Sequence, residues 1–483
     1  MKKFAFFAVF ISLIFNNISV FAAETNYVDL DHYVQNRMRQ SDTPCLSLGI
    51  VKDGELQYLQ QYNVNQTSSE TVQTIYPIAS VSKVFTALAA RQLINKGALN
   101  ENAPVEQYLP DFRSNYRGSR ISITVGQLIH HLSGISKIDG GKPYIFNAKY
   151  SLAEVAGKSM LHQLDNIPGE VYEYSNMNYI LLGRIIEVVS GIPYEKYVRE
   201  NILDPLGMDS TFSKASELGG IIPVKGHIPF YGLSVPFSYF PSNGDSPTGG
   251  FLSTAGDICR LIISYQQGGY VGEVSLIEEN TITSWNSDKS GLVYDIYWTK
   301  AKREDGMQLI HNGCVPGYSS AILMDIGSGY GIVILTNSFD QIGLQMNEAA
   351  PWDMAQNVLA YLTNGQFPEP VKASYDYSIL MWFICLFIGL AGFIIFLIRH
   401  TMQSIHKQTN LVRELIHLSA YFILPALWVI LIPIMNDCRW EWLLISHPVM
   451  NISLLCIMAA LVLTGIGKAS VIVVKKYLLT KTE

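Results

Sequence analysis

Ser80 and Lys83 are the residues whose types and spacing most directly suggest chemistry. They lie in the segment Pro77–Ala90, PIASVSKVFTALAA, where apolar spacing from position 81 to about 94 predicts a helix that ends near Gly97. Side chains three positions apart share a helix face, and the first turn offers backbone N–H groups that can stabilise an oxyanion. A desolvated lysine has a lowered pKa, so Lys83 could take the hydroxyl proton of Ser80.

The Ser-x-x-Lys pattern alone does not establish a nucleophile, because the chain contains it twice. The second copy, Ser404 to Lys407, falls in a polar loop where no chemical role is evident. A second candidate pair, Tyr174 and Asn176, forms a Tyr-x-Asn just before a predicted helix. The tyrosine could carry a proton and the asparagine could hold a substrate carbonyl, but a loop tyrosine followed by a helix-capping residue is the alternative.

His311 and Gly313 form a third candidate pair, in LIHNGCVPGYSS after a β-rich run. Gly313 would permit a close approach of backbone or ligand, and His311 would point into the same site. A structural role is the alternative for His311. The nearby segment SPTGGFLSTAGD predicts a tight loop that enters a helix, with Ser253 or Thr254 as the cap.

The composition indicates an exported protein with membrane segments. Of its 483 residues 15% are charged, the net charge is −6 and the mean hydropathy is +0.19. The chain lacks the basic block that nucleic acid requires, which argues against nucleic-acid binding. The start MKKFAFFAVFISLIF predicts a signal peptide over residues 1–23, with an uncleaved anchor as the alternative. The six cysteines include no Cys-x-x-Cys metal signal, and we expect mostly free, buried thiols.

Three apolar stretches near the C-terminus predict three transmembrane helices, over residues 378–398, 415–435 and 443–466. Lysine and arginine are concentrated in the loop after the first stretch and in the tail, so the positive-inside rule places both in the cytoplasm. The preceding domain then faces the periplasm or the cell exterior, which agrees with the signal peptide. The predicted domains are the signal peptide (1–23), a catalytic domain (24–376) and a membrane domain (377–483).

The domain over residues 24–376 is predicted to be α/β. A β-hairpin over Cys45–Tyr62 turns at Asp53 and Gly54, and β-rich runs recur near the other end, at 308–310, 320–324 and 332–335. Helices are predicted between them, at Ser122–His131 and Tyr179–Val189. Strands at both ends with helices in the middle predict one sheet made from the two ends, with an inserted helical region.

The order and spacing of the three motifs resemble the serine β-lactamase-like family, which includes class C β-lactamases, low-molecular-weight penicillin-binding proteins, D-aminopeptidases and esterases. ITVGQLIHHLSGI, ILDPLGMDSTF and PTGGFLSTAGDICRL also look like that family. The resemblance covers most of residues 30–360 and implies a β-lactamase-like antiparallel sheet flanked by helices. Three spans behind such a domain are similar in layout to membrane-bound prodrug-activating D-peptidases of the colibactin-activating type.

The resemblance implies an acyl-enzyme mechanism that needs no metal or cofactor. Ser80 would be the nucleophile, and Lys83 and Tyr174 would share its proton in an order that the sequence leaves open. The backbone N–H groups of Ser80 and Cys314 would hold the oxyanion. Asn176 would orient the substrate amide, and His311 would support the Tyr–Lys network or bind a substrate carboxylate. The implied substrate-binding residues are Asn176, His311, Gly313 and Cys314.

Two departures distinguish this chain from the prodrug-activating group. That group has Ser in place of Asn176 and a His-containing segment in place of Pro247–Gly250, and both regions line its D-amino-acid pocket. Class C β-lactamases carry Lys in place of His311, whereas His-x-Gly looks more like D-peptidases and esterases. The catalytic residues therefore transfer more directly than the substrate does.

The leading interpretation is a membrane-anchored extracytoplasmic serine peptidase or amidase. Its substrate would be a small peptide or acyl-peptide with D-configured or N-acylated residues, and membrane lipid would be its other partner. A β-lactamase or penicillin-binding enzyme and an esterase of the same family are alternatives. A non-catalytic sensor or binding protein is a further alternative, and the complete set of motifs argues against it.

Overall fold

The computed structural model describes most of the chain before residue 376 and two long helices after it. The described residues are 27–65, 69–141, 145, 149–230, 233–237, 242–271, 274–275, 293–295, 298–303, 306–339, 345–346, 351–368, 374–375, 411–436 and 448–480, with single positions between 381 and 399. The predicted signal peptide and the Ser404–Lys407 pair lie outside these residues.

A seven-stranded antiparallel sheet forms the centre of the fold. Its strands in chain order are β1 (Cys45–Lys52), β2 (Glu55–Asn63), β3 (Val293–Asp295), β4 (Trp298–Arg303), β5 (Gly306–Val315), β6 (Tyr318–Asp325) and β7 (Tyr330–Thr336). Their spatial order is β3-β4-β5-β6-β7-β1-β2. The N-terminal hairpin thus pairs with the last strand, Leu46 opposite Thr336, which confirms that the two ends of the domain make one sheet.

Helices α1 to α9 pack around this sheet, and two long helices follow the domain. In chain order the helices are α1 (Val28–Gln40), α2 (Ser82–Asn95), α3 (Val125–Ile129), α4 (Lys137–Gly140), α5 (Leu152–Gly157), α6 (Asn176–Ser190), α7 (Tyr194–Val198), α8 (Ala255–Gln266), α9 (Pro351–Asn364), α10 (Leu411–Asn436) and α11 (Pro448–Thr480). Helices α1 and α9 share one hydrophobic core with the sheet. Helix α8 and the inserted helical region, which comprises α2 to α7, share the other core with it. The domain is therefore three layers deep.

Strand β1 shows how the sequence fits this position between two helical layers. It is buried along almost its whole length, as expected for a strand covered on both faces. Leu46, Leu48 and Ile50 belong to the core with α1 and α9. The small residue Gly49 faces α8, where a Cβ would overlap Cys259 Sγ. Large residues on one face and a small residue on the other let α8 lie close to the sheet.

Capping side chains set the helix ends, and they explain why one predicted helix has different bounds in the structure. The predicted helix over Ser122–His131 is shorter in the structure, because Thr124 and Gln127 form a reciprocal capping box that starts α3 at position 125. It ends before His131, whose φ is +55°. The cap predicted at Ser253 or Thr254 is Thr254, which accepts the N–H of Asp257 at the start of α8.

The C-terminal helices agree in part with the three predicted spans. Leu454–Val474 in α11, with a mean hydropathy of 2.2, is the one stretch among the described residues that is long and apolar enough to cross a membrane. Leu418–Leu431 in α10 is a shorter apolar stretch, and most of the predicted span 378–398 lies outside the described residues. Three transmembrane helices are thus not confirmed.

The apolar stretch of α11 continues to Val474, beyond residue 466, where the third predicted span ends. Lys468, predicted to begin a cytoplasmic tail, lies within it and donates a hydrogen bond to Tyr421 OH of α10 at 2.8 Å. Gly465 brings the two helices together, since a Cβ there would meet Phe422 at 2.8 Å. A lysine that has a partner on a neighbouring helix can be retained in an apolar segment.

Replacing Gly49 with alanine should destabilise the domain, because the added methyl group would overlap Cys259 Sγ. Overpacking of this kind costs about 1–3 kcal/mol, so the melting temperature of the purified full-length protein should fall. The control is Gly157→Ala, where a Cβ would meet nothing within 4 Å. The double variant Gly49→Ala/Cys259→Ala should regain part of the lost stability; a double variant no more stable than Gly49→Ala would contradict the overlap.

Candidate active site

Ser80 lies in a short 3₁₀ turn, Ala79–Val81, that leads directly into α2. Ala79 has a φ of +52°, a left-handed conformation that is costly for a residue with a side chain. Ser82 holds this turn in place, because its Oγ donates to Ala79 O at 2.6 Å and accepts the N–H of Phe251 at 3.0 Å. Ser80 itself remains partly exposed, so its hydroxyl can be reached from solvent.

Gly313 allows strand β5 to pass directly beside the turn that carries Ser80. A Cβ at this position would meet Ile78 O, Ser320 Oγ at 2.6 Å and Ser80 N at 3.0 Å. Ser320, on the neighbouring strand β6, donates to Ile78 O at 2.8 Å. Strand β4 pairs with β5 only as far as Ile310. The second half of β5 therefore runs along the turn, and only glycine fits where the two backbones are closest.

Cys314 follows on the same strand with the opposite orientation. Its side chain is exposed, whereas the thiols of Cys45 and Cys259 are free and buried. Along β5, His311 and Gly313 are buried and the residues between and after them are exposed, as strand alternation requires. The expectation of free thiols holds for the described cysteines, but the expectation that most are buried does not, since Cys385 is also exposed and Cys456 is half-buried. Cys314 flanks the approach to Ser80.

Lys83 is fully buried one turn after Ser80, and three oxygen atoms surround its ammonium group. Its Nζ lies 3.4 Å from Ser80 Oγ, 2.8 Å from Asn176 Oδ1 and 2.7 Å from Thr248 O. It also lies 4.8 Å from the ring centroid of Tyr174. An ammonium has three N–H groups, and these three oxygens match them in number.

Burial decides the protonation of Lys83. Removal from water lowers its pKa from 10.5 to about 7, although the nearby Asp245 carboxylate opposes this shift. The charged and neutral forms of the amine are therefore both populated near neutral pH. Such a group can accept and return a proton, which an ordinary surface lysine cannot do at that pH.

Tyr174 approaches Ser80 from the side of the helical region. Its OH donates to Ser80 Oγ at 2.8 Å, so the serine hydroxyl contacts both Tyr174 and Lys83. Burial raises the pKa of Tyr174 above its ordinary value of 10, even though the hydrogen bond with Ser80 works in the other direction. The phenol therefore stays protonated at neutral pH.

Asn176 uses both ends of its amide inside the protein. Its Oδ1 accepts from Lys83, and its Nδ2 donates to Gly140 O at 3.1 Å. Because a backbone carbonyl only accepts, the second bond fixes which end of the amide faces the lysine. Helix α4 also lies against the start of α6, since a Cβ at Gly140 would meet Ser175 Oγ at 2.7 Å. These contacts fix the position of the asparagine side chain.

The loop that supplies the Thr248 carbonyl is wound around Asp245. The Asp245 carbonyl accepts the N–H groups of residues 248–250 at 2.8 to 3.2 Å. Thr86, one turn after Lys83 on α2, donates to Pro247 O at 2.7 Å. The helix that carries the lysine thus also anchors the loop that accepts its hydrogen bond.

His311 is buried and electrically neutral. Its Nδ1 donates to the carbonyl oxygen of Asn312 at 3.1 Å, and its ring lies edge-on to Trp298 with 6.3 Å between centroids. Burial and the charge of Lys83 lower the pKa of His311 to about 3. The side chain therefore carries no positive charge at neutral pH.

The structure brings together the residues of all three sequence motifs. Ser80 contacts Lys83 and Tyr174, and Lys83 contacts Asn176. The sequence motifs did not predict two further residues of the site. One is Thr248, whose backbone carbonyl contacts Lys83 and which only the following glycine pair could have indicated. The other is His131, which packs on Tyr174 with 4.6 Å between ring centroids. Among the described residues, no group of three or more His, Cys, Asp or Glu side chains could hold a metal ion.

Comparison with known proteins identifies the family of this arrangement. The Beta-lactamase family model matches residues 30–350. Protein flp of Staphylococcus aureus strain N315 is 30% identical over 324 residues, which are 64% of this chain and 62% of that protein's own length.

Two solved structures share the fold. The octameric penicillin-binding protein homologue from Pyrococcus abyssi is 26% identical with a TM-score of 0.61, covering 71% of this chain and 79% of its own. D-amino acid amidase from Ochrobactrum anthropi SV3 is alike in fold, with 22% identity and a TM-score of 0.55. The match covers 70% of this chain and 99% of the amidase chain. From the family match and this fold, the chain belongs to the beta-lactamase family of serine hydrolases.

Proposed function

We propose that the protein is a serine amidase or peptidase that forms an acyl-enzyme on Ser80, with Lys83 as the first base. The observation that carries this proposal is the set of oxygen atoms around Lys83 Nζ. Two of them, Asn176 Oδ1 and Thr248 O, belong to carbonyl groups and can only accept. The third is the Ser80 hydroxyl, which can also donate.

This arrangement suits a neutral lysine that accepts a proton from serine. A neutral amine has two N–H groups and one lone pair. When the two carbonyls take the two N–H groups, the lone pair is directed at the Ser80 hydroxyl, 3.4 Å away. With a pKa of about 7, Lys83 reaches this neutral form near neutral pH. Tyr174, whose pKa is raised, suits the role of proton donor better than that of first base.

In the proposed reaction, Ser80 Oγ attacks the substrate carbonyl while its proton passes to Lys83. The C–N bond of the amide then breaks, the departing nitrogen takes a proton from Tyr174, and the proton held by Lys83 restores the Tyr174 phenol. The backbone N–H groups of Ser80 and Cys314 hold the oxyanion, a role supported by the close approach of β5 to the turn at Gly313. Water then hydrolyses the ester on Ser80 and releases the acid.

We propose a substrate that presents an uncharged group to His311. The neutral imidazole carries its one N–H on Nδ1, which is taken by the Asn312 carbonyl, so Nε2 has no proton to donate to a carboxylate. Of the two roles expected for His311 we therefore favour support of the Tyr–Lys network. Asn176 retains a second N–H on Nδ2 that can orient a substrate carbonyl. D-configured or N-acylated peptide amides remain the first substrates to test, and esters and β-lactams are the alternatives.

We further propose that the protein is anchored in a bacterial cytoplasmic membrane, with residues 24–376 on the outer side. Support comes from the apolar stretch Leu454–Val474, from the apolar segments before it and from the distribution of lysine and arginine in the sequence. A substrate with an apolar part could then reach the site from the membrane surface.

The Ser80→Ala variant should lose turnover by roughly 10³-fold or more, because removal of the nucleophile disables the whole catalytic unit. Full-length protein would be incubated with N-acyl-D-aminoacyl amides, their L counterparts, a cephalosporin and short esters, and products would be followed by mass spectrometry. Ser404→Ala, in the second Ser-x-x-Lys, is the matched control and should retain full activity. Undiminished turnover by Ser80→Ala would refute the nucleophile assignment.

The value of kcat/KM should rise with pH through about 7, because the lowered pKa of Lys83 gives more neutral base as pH increases. Lys83→Arg should lose at least about 10²-fold of activity, since arginine keeps its charge and cannot act as the base. Tyr174→Phe should be slower but keep the same rise near pH 7. A profile that stays flat between pH 5 and 8, or a rise that Tyr174→Phe abolishes, would contradict Lys83 as the first base.

Removing the chain after residue 376 should release the protein from membranes. Full-length protein should remain in the pellet after alkaline carbonate extraction, and the truncated protein should appear in the supernatant. In intact cells with a permeabilised outer layer, added protease should cleave residues 24–376 but leave the C-terminal helices. Carbonate release of the full-length protein would contradict anchoring, and protection of residues 24–376 would contradict the orientation.

A further inference from the structure

His131 lies beneath the proposed site and contacts it at three consecutive residues. Its backbone carbonyl accepts the N–H of Glu173 at 2.9 Å, and its Nδ1 lies 3.3 Å from the N–H of Ser175. Between these two contacts, its ring packs against the ring of Tyr174, with centroids 4.6 Å apart and planes inclined by 35°. One buried residue thus contacts the whole segment that leads to the Tyr174 hydroxyl.

The hydrogen bonds also fix the protonation of this imidazole. The backbone N–H of Ser175 can only donate, so Nδ1 must accept and the ring proton is on Nε2. Asn178 Nδ2 lies 2.9 Å from the same Nδ1, and its Oδ1 accepts from Ser133 Oγ at 2.6 Å. A proton on Nδ1 would face two donors, which is strongly unfavourable in a fully buried site.

The surroundings of His131 also disfavour a positive charge on its imidazole. His131 is fully buried, and burial together with the nearby charge of Lys83 lowers its pKa well below the ordinary value. The titratable and charged groups that face it are Tyr172, Tyr174 and Tyr179 by ring contact, and Lys83, His130 and His311 at longer range. None of these six groups supplies a negative charge at neutral pH that would stabilise an imidazolium.

The backbone of His131 has a conformation that only its surroundings can maintain. Its φ of +55° is in the left-handed region, which is costly for a residue other than glycine and persists where neighbouring contacts over-determine it. This conformation turns the backbone carbonyl and the imidazole toward the same stretch, residues 173–175. The neighbour His130 pairs instead with Glu101 at 3.4 Å.

We infer that His131 is a positioning residue, a permanently neutral hydrogen-bond acceptor and ring platform that holds the Tyr174 hydroxyl against Ser80. The inference deepens the proposed function and rests on it, since it assigns His131 to the proton path through Tyr174. It does not make His131 an acid or a base. The imidazole acts only through Tyr174 and the backbone beside it.

Two substitutions separate the two contacts of the imidazole. His131→Phe keeps a ring beneath Tyr174 and removes the acceptor for the Ser175 N–H. His131→Asn keeps a short acceptor, tolerates the left-handed backbone and removes the ring. His130→Asn is the matched control, because it changes the adjacent histidine, whose imidazole pairs with Glu101.

The expected result is a loss of kcat of about 10- to 100-fold for both His131 variants with KM changed by less than about twofold, as for a misplaced catalytic group. The rise of kcat/KM near pH 7 should be unchanged in His131→Asn, because His131 does not titrate. In a Tyr174→Phe background the same substitutions should cost little more, since both act through the one hydroxyl. Loss of the rise in His131→Asn, or fully additive losses, would overturn the inference.

A measurement that needs no turnover distinguishes failure of the inference from failure of the proposed function. Amide hydrogen exchange of the peptide over residues 170–178 in full-length protein should increase at Ser175 in His131→Phe and stay unchanged in His130→Asn. Increased exchange with an inactive wild-type protein would refute the proposed function and leave the positioning contact standing. Unchanged exchange in His131→Phe would refute the positioning contact whatever the activity.

Discussion

The whole site depends on the burial of one amine. Lys83 points into the domain at the start of α2, where three oxygen atoms replace water around its Nζ. Each oxygen comes from a different part of the fold: the turn before α2, the first residue of α6, and the loop before α8. An uncompensated buried charge is costly, so the three oxygens must all lie around Nζ for Lys83 to be buried there. The same packing makes Lys83 the proposed base.

Several features of the fold serve this arrangement. The positive φ of Ala79 presents Ser80 at the start of α2, and Ser82 holds that conformation with two hydrogen bonds. Gly313 brings β5 against the turn from the sheet, while Thr86 ties α2 to the loop that carries Thr248. The proposed nucleophile, Ser80, is thus fixed from the sheet, the helical region and the loop before α8, so the proposed reaction would need little rearrangement of the site.

The histidines of the site illustrate how tertiary environment assigns roles. His311 and His131 are both buried near Lys83, and each is held neutral. His311 donates through Nδ1 to its own strand, whereas Nδ1 of His131 accepts from the segment that carries Tyr174. The same side chain therefore occurs as opposite tautomers on two sides of the proposed site, because in each case the nearest backbone group is fixed as an acceptor or a donor.

The sequence by itself determined the family resemblance, the sheet built from both ends of the domain and the set Ser80, Lys83, Tyr174 and Asn176. These follow from local spacing and from the order of motifs, which are properties of the chain. Only the tertiary structure decided that the Thr248 carbonyl completes the lysine site, that His131 rather than His130 lies beneath Tyr174, and that His311 is neutral. A backbone carbonyl has no residue type to recognise, and adjacent histidines differ only in what the fold packs around them. Protonation depends on burial and partners, so it is established only when distant parts of the chain come together.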